Sequence, residues 1–247
     1  VARDFNGNTD RIDYASPFDT TGQPITISVW LNKGSTTGAS EYIFNSASSG
    51  GGPGLLLYLP TGLGNAVQFF RNGSGSQLDK TTTNTLSTDL WYNLIATHDG
   101  VMTTHSSVHI YIDGAEASYA SGTNGSSEIT SNSGFEVGGR SVDDIRNLRG
   151  RVGELAVWNG VQTPGVIAAL ADRYAPSFFT DDLKFYSSLV NHPDALYSTG
   201  ASRTGTLDGT TVFAGHPPII YPSRVVRLKS AVAPVAKLHV ITTGMQW

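Results

Sequence analysis

Three histidines, four arginines and four large aromatics are the side chains of this 247-residue chain whose types and spacing could do chemistry. His98, His105 and His109 form the histidine cluster. An offset of four residues converges two imidazoles on a helix, but Val108, Ile110 and Ile112 alternate with His109, Tyr111 and Asp113 as a strand does. On a strand that offset separates two side chains by roughly 13 Å. No acidic residue is assigned to orient a zinc-bound ring, so the three read as solvent-facing strand histidines. Arg140, Arg146, Arg149 and Arg151 fall in one predicted loop with Asp143 and Asp144. Clustered guanidinium groups suit sulfate, carboxylate or phosphate; the two aspartates offset half of that charge, so a self-satisfied polar loop is the competing reading. Trp30, Tyr58, Phe70 and Tyr119 are candidates to lie flat against a pyranose, beside Asn, Asp or glycine-backbone hydrogen bonds in a shallow site. Burial under loops is the competing reading for each.

Several chemistries are absent from the sequence. With no cysteine there are no disulfides, thiolate metal sites or thiol nucleophiles. Neither a Gly-x-Ser-x-Gly elbow nor a Gly-x-x-x-x-Gly-Lys phosphate loop occurs. A net charge of -4 with 15% charged residues argues against nucleic-acid binding by phosphate neutralisation. The uncharged polar surface suits sugar or protein contacts better. No run of about 18 apolar residues and no signal-peptide layout at Val1 to Phe5 is visible, so membrane insertion is not expected.

Strands must position these groups. From Phe5 to about Trp158 short apolar or alternating runs are separated by Gly, Ser, Asn and Thr clusters, the layout of a sandwich. Strands are predicted near Ile25 to Leu31, Glu41 to Phe44, Leu55 to Leu59, Ala66 to Phe70, Tyr92 to His98, Val108 to Ile112, Phe135 to Gly138 and Val152 to Trp158. Leu55 to Leu59 is apolar on both parities and reads as a central strand covered on both sides. Trp30 shares its face with Thr26 and Ser28, opposite Ile25, Ile27, Val29 and Leu31, which puts it outside the main core. Asp113-Gly114 predicts a hairpin, and Ser48 to Gly54 and Ser121 to Ser133 read as loops. Thr163-Pro164 ahead of Val166, Ile167, Leu170 and Ala171 predicts one short helix near 164–173.

The Trp91 strand ending at Thr97 to Gly100, followed by Val108 to Gly114, resembles the laminin G-like, concanavalin A-type jelly-roll superfamily. Phe5-Asn6-Gly7, Ile27 to Trp30, Phe135 to Gly138 and Gly150 to Asn159 fall in that family's order. The resemblance implies an all-β, antiparallel two-sheet jelly-roll sandwich over 1–175. Glycoside hydrolases of this family place acidic residues at alternate strand positions, so that two carboxylates face one sugar. Here Glu41, Glu116, Glu128, Glu136 and Glu154 each lack an acidic residue two positions away, which argues against an enzyme. The resemblance also implies calcium, held by an N-terminal Asp and acidic pairs. Asn6 stands where the first Asp would fall, which leaves Asp10, Asp13 and Glu154 as the candidate ligands, a thin set for a hard cation. No other cofactor is expected.

Residues 176–247 read as a C-terminal extension with a returning strand at Leu183 to Tyr186 and an apolar, Pro-containing tail. Val225, Val226, Leu228, Val235, Leu238, Val240, Ile241 and Trp247 are too apolar to be left solvated and are expected to dock on the domain or a partner. Leu207 to Val212 followed by His216 to Pro222 is similar to tails of laminin G-like proteins encoded by bacteriophages. The resulting expectation is a non-catalytic adhesion or recognition domain, carbohydrate-binding, displayed on a virion or extracellular cell surface. Its partners would be a glycan or glycosylated surface, other subunits of that assembly, or further copies of itself. A purely structural decoration or fibre-associated subunit anchored by the tail is the first alternative, and a glycoside hydrolase or lyase of the same fold the second.

Overall fold

The computed structural model describes residues 2–15, 23–46, 54–73, 75–127, 134–141, 144–190, 193–199, 204–213 and 215–222. The tail positions from Val225 to Trp247 lie outside these described residues. Each run read above as a strand is one. In chain order the first strands are β1 (Ala2–Asn6), β2 (Arg11–Tyr14), β3 (Ile25–Lys33), β4 (Glu41–Asn45), β5 (Gly54–Leu59) and β6 (Ala66–Asn72). Then come β7 (Leu78–Thr85), β8 (Trp91–His98), β9 (Val108–Ile112), β10 (Ala115–Glu116), β11 (Tyr119–Thr123), β12 (Phe135–Val137) and β13 (Arg149–Trp158). After the helix α1 (Pro164–Ala171) follow β14 (Leu183–Ser187), β15 (Tyr197–Ser198), β16 (Gly205–Asp208) and β17 (Thr211–Phe213).

These strands form two antiparallel sheets. The first runs β10-β9-β8-β3-β13-β1-β17, with β14 and β15 added beside β13. The second runs β11-β7-β6-β5-β4-β12-β2-β16. Residues 205–213 retrace the β1–β2 path in reverse, β16 pairing with β2 and β17 with β1, so this segment widens both sheets. Alternation decides what lies between the sheets: Ile25, Ile27, Val29 and Leu31 from β3 meet Leu55, Leu57, Leu59, Val67 and Phe69 from the second sheet in one core. A smaller cluster on the outer side of the first sheet packs Ile167 and Leu170 of α1 on Ile95, Ala156, Trp158, Leu183 and Tyr186. Thr163 caps that helix by accepting from Val166 N at 3.4 Å, with Pro164 at its first position.

Two departures from the sequence reading bear on function. Part of the predicted Ser121 to Ser133 loop is strand: β11 pairs with β7 along Tyr119 to Thr123. β7 is rich in Thr and β11 in small residues, so pairing with a neighbour, rather than an apolar period, makes them strands. His98 is wholly buried, not solvent-facing, because it shares the inward parity of Leu94 and Ala96 on β8.

Candidate functional site

On the outer face of the second sheet, strand register sets side chains in transverse rows. On β5 and β6 the core takes Leu55, Leu57, Leu59, Val67 and Phe69. That leaves Leu56, Tyr58, Gln68 and Phe70 pointing outward. Pairing places Tyr42 opposite Tyr58, Tyr58 opposite Gln68 and Gln68 opposite Thr81. The adjacent row reads Glu136, Asn45, Leu56, Phe70 and Asp79. Tyr58 and Phe70 are both half-buried. The Tyr42 and Tyr58 rings meet edge to face at 5.3 Å, and Asn45 Nδ2 donates to Glu136 Oε2 at 2.6 Å. Burial, reinforced by Tyr42 and Asp79, pushes the Tyr58 phenol upward, so it remains a neutral hydroxyl over any ordinary pH. The face thus offers two rings flanked by amides, a phenol and carboxylates, a set suited to stacking on a sugar and bonding its hydroxyls.

Two of the four arginines join this face. The guanidinium carbons of Arg140 and Arg146 each lie 5.7 Å from the Tyr42 ring centre, and Arg146 Nη1 donates to Tyr42 Oη at 2.8 Å. Arg149 and Arg151 belong to β13, not to the loop, and are directed elsewhere. Arg149 donates to the Asn6 carbonyl at 3.2 Å, while Arg151 pairs with Asp4 at 3.2 Å and bonds Asn32 at 3.1 Å. Trp30 lies outside the main core as expected, yet it is buried, in register between Asn93 and Gly153. Tyr119 sits at the open side of the sandwich in a cleft of about 350 Å³ with Lys80, His105, Ser106 and Gly122. One face of its ring is covered by the Lys80 ammonium at 3.8 Å, and its hydroxyl donates to Glu116 at 2.8 Å. His109 also reaches Glu116, at 2.7 Å, an acidic neighbour supplied by β10 across the hairpin. Tyr42 was the aromatic missed from sequence. A bulge between Tyr42 and Phe44 breaks the alternation there, so parity could not assign it to the outer face.

Residues 6–168 match a laminin G-type family model described as the concanavalin A-like lectin/glucanases superfamily. The chain belongs to this superfamily. No curated protein sequence matches it. Among solved structures, a candidate carbohydrate-binding protein from Bacteroides ovatus aligns with a TM-score of 0.58 at 17% identity, over 85% of this chain and 58% of that one. The chain therefore spans little more than half of that protein. A heptameric SAP-like pentraxin from Limulus polyphemus gives 0.57 at 12% identity, over 85% and 93% of the two chains. Domain 4 of an extracellular arabinanase from Geobacillus stearothermophilus, solved with arabinotriose, gives 0.54 at 21% identity, over 69% and 76%. These likenesses concern the fold.

For this member of the superfamily, the three candidate calcium ligands do not converge. Asp10 is buried and accepts from Asn6 N at 2.9 Å; burial first, then Asp4 and Asp208, raises its carboxyl. Asp13 pairs with Arg11 at 3.3 Å on the second sheet. Glu154 lies on β13 of the first sheet, where Tyr186 and Tyr221 donate to its two oxygens at 2.7 and 2.6 Å and His216 Nε2 approaches at 3.3 Å. Among the described residues no three His, Asp or Glu side chains are grouped to hold a metal ion. As they lie among the described residues, Asp10, Asp13 and Glu154 do not gather into the shared oxygen set a calcium ion needs. Among those residues, too, no helix is long and apolar enough to cross a membrane.

Proposed function

We propose that the chain is a non-catalytic carbohydrate-binding domain whose ligand lies along the outer face of the second sheet, across Tyr58 and Phe70. The observation that carries this reading is their register. They stand on adjacent strands and the same face, on the diagonal of a pairing that puts Tyr58 opposite Gln68 and Leu56 opposite Phe70. That diagonal is roughly 7 to 8 Å, within reach of one short oligosaccharide. Half-buried Gln68 stands beside the rings to take its hydroxyls, with the buried Asn45 and Asp79 continuing the neighbouring row, and Arg140 and Arg146 border the face at Tyr42. Support comes also from the arabinanase domain of similar fold solved with arabinotriose, and from the Bacteroides protein. In this reading the domain is displayed where glycans are met, on a cell or virion surface, beside other subunits or copies of itself. A glycan array on the intact chain, followed by calorimetric titration, tests it. Tyr58→Ala and Phe70→Ala should each weaken binding about tenfold, equivalent to about 1.4 kcal/mol. Unchanged affinity in both variants, with the fold retained, would sink the proposal.

A second reading, a glycoside hydrolase, is favoured by one pairing: Asp13 faces Glu136 across β2 and β12 on this same face. Their surroundings weigh against it. Arg11 holds Asp13, and both oxygens of Glu136 accept hydrogen bonds, from Asn45 Nδ2 and from Ser141 N at 3.0 Å. Reducing-sugar release from a polysaccharide that disappears in Asp13→Asn or Glu136→Gln would establish the second reading over the first.

A further inference from the structure

Lys80 carries a buried charge with one donor to spare. It lies on β7 in the inward parity of Leu78, only 7% exposed, at the open side of the sandwich. Its Nζ crosses to the first sheet and donates to the Val108 carbonyl at 2.6 Å. The centre of the Tyr119 ring lies 3.8 Å from Nζ, close enough to take a second N–H. An ammonium has three donors, and among the described residues nothing accepts the third. Burial pulls this ammonium below the usual lysine range, with Glu116 opposing it. An anion seated beside Nζ would offset that penalty.

The cleft it lines, of about 350 Å³, is of the size that holds a small ligand. Its other walls supply neutral hydrogen-bonding groups. His105 stands on the single turn His105–Ser107 between β8 and β9. Asn124 Oδ1 accepts from both its backbone N and its ring Nδ1, each at 2.8 Å. In the neutral ring the proton is therefore on Nδ1, and Nε2 keeps its lone pair for a ligand hydroxyl. The ring packs against β11 at Gly122, where a Cβ would run into it. Ser106 and Ser121 are exposed at the mouth.

The charge balance selects the anion. Glu116 is already engaged, its Oε1 taking the Tyr119 hydroxyl at 2.8 Å and facing His109 Nδ1 at 2.7 Å, yet it still opposes any second negative charge near Lys80. A phosphate brings up to two charges and three acceptor oxygens, more than one free N–H satisfies. A monocarboxylate with neighbouring hydroxyls matches one cation, one imidazole lone pair and two serines. We propose that this cleft binds a hydroxy acid such as a uronic acid unit, one carboxylate oxygen on Lys80 Nζ and hydroxyls on His105 Nε2, Ser106 and Ser121. The site is separate from the Tyr58–Phe70 face and stands or falls independently of it.

Amide chemical shifts of the isotope-labelled full chain, titrated with sodium glucuronate, sodium lactate and glucose, test this. Glucuronate should move the Ser106, Ser121 and Gly122 amides saturably, and glucose should not. Lactate separates the sources of the carboxylate: a weaker response than glucuronate supports a sugar acid, and an equal one supports the same site for small free hydroxy acids. Lys80→Gln should weaken glucuronate binding about tenfold or more, the loss of one charge-assisted hydrogen bond. Because Lys80 also ties the sheets together, Ser121→Glu is the second variant. Its exposed position leaves the fold intact, and its added carboxylate should repel the ligand to a similar degree. Tyr58→Ala should leave this titration unchanged. No saturable movement with either acid would overturn the proposal. So would glucose matching glucuronate, movement confined to Tyr58 and Phe70, or affinity that survives either cleft variant.

Discussion

Arg71 Nη1 donates to Nδ1 of His98 at 2.8 Å, both side chains being sealed between the two sheets. A guanidinium only donates, so Nδ1 is the acceptor and the ring proton sits on Nε2, 3.2 Å from the Val101 carbonyl. Burial first, and then the Arg71 charge, pushes His98 down to about 4. In the unfolded chain the ring titrates near 6.5. Between those values the unfolded state takes up a proton that the folded state refuses. Stability is therefore complete above about pH 6.5 and declines as the pH falls toward 4, by about 3 kcal/mol in all. His98→Gln should flatten that acid limb, which urea unfolding at several pH values will measure.

Lys33 and Glu41 form an ion pair of 3.1 Å in which the side chains are 0% and 2% exposed. Lys33 Nζ also reaches the carbonyls of Gly34 and Ser35, and Glu41 accepts from Thr37 N and Arg149 N, so the pair ties loop 34–40 to β13. Lys33→Met or Glu41→Gln alone should cost about 3–5 kcal/mol, because either leaves a charge buried without its partner. The double variant should cost well below the sum of the two, a coupling that a double-mutant cycle by chemical denaturation will read.

Gly138 has φ +81°, and a Cβ there would run into the Phe5 ring. Gly138→Ala should lower stability by about 2 kcal/mol or more, combining backbone strain with displacement of a core ring. Thermal unfolding will show it, and shrinking the ring with Phe5→Leu should relieve part of the added loss.

Tyr221→Phe removes the hydroxyl that satisfies one oxygen of a carboxylate only 1% exposed. A loss of about 1–3 kcal/mol is expected. Proteolysis should then cut first within residues 215–222, with the sheets still folded.

How far the sequence could be read follows from what each strand is made of. Val108, Ile110 and Ile112 announce β9 by alternating with polar residues, and the runs behind β3 and β6 alternate as well, while β5, apolar on both parities, declares a strand but not its faces. The Thr-rich β7 and the small-residue β11 have no such period, and their existence depends on partners distant in the chain. The same distinction governs the site. That Phe70 points away from the core is written in the alternation of β6, whereas β5 is apolar on both parities and does not by itself assign Tyr58 to a face. That they adjoin, and that Arg140 and Arg146 flank Tyr42 while Arg149 and Arg151 do not, depends on register and on where β13 begins, which no local pattern encodes. His98 could have been placed from parity alone, since it continues the inward positions of Leu94 and Ala96; its chemical type, more often found near water, outweighed the pattern.

The anchoring of Tyr221 to Glu154 has a mechanical corollary. Glu154 sits in the bulge of β13, a strand bordered by β3 on one side and by β1 and β14 on the other. Tension applied through the C-terminal end would therefore enter the first sheet at its middle, where neighbouring ladders share the load, instead of peeling a marginal strand from the rim.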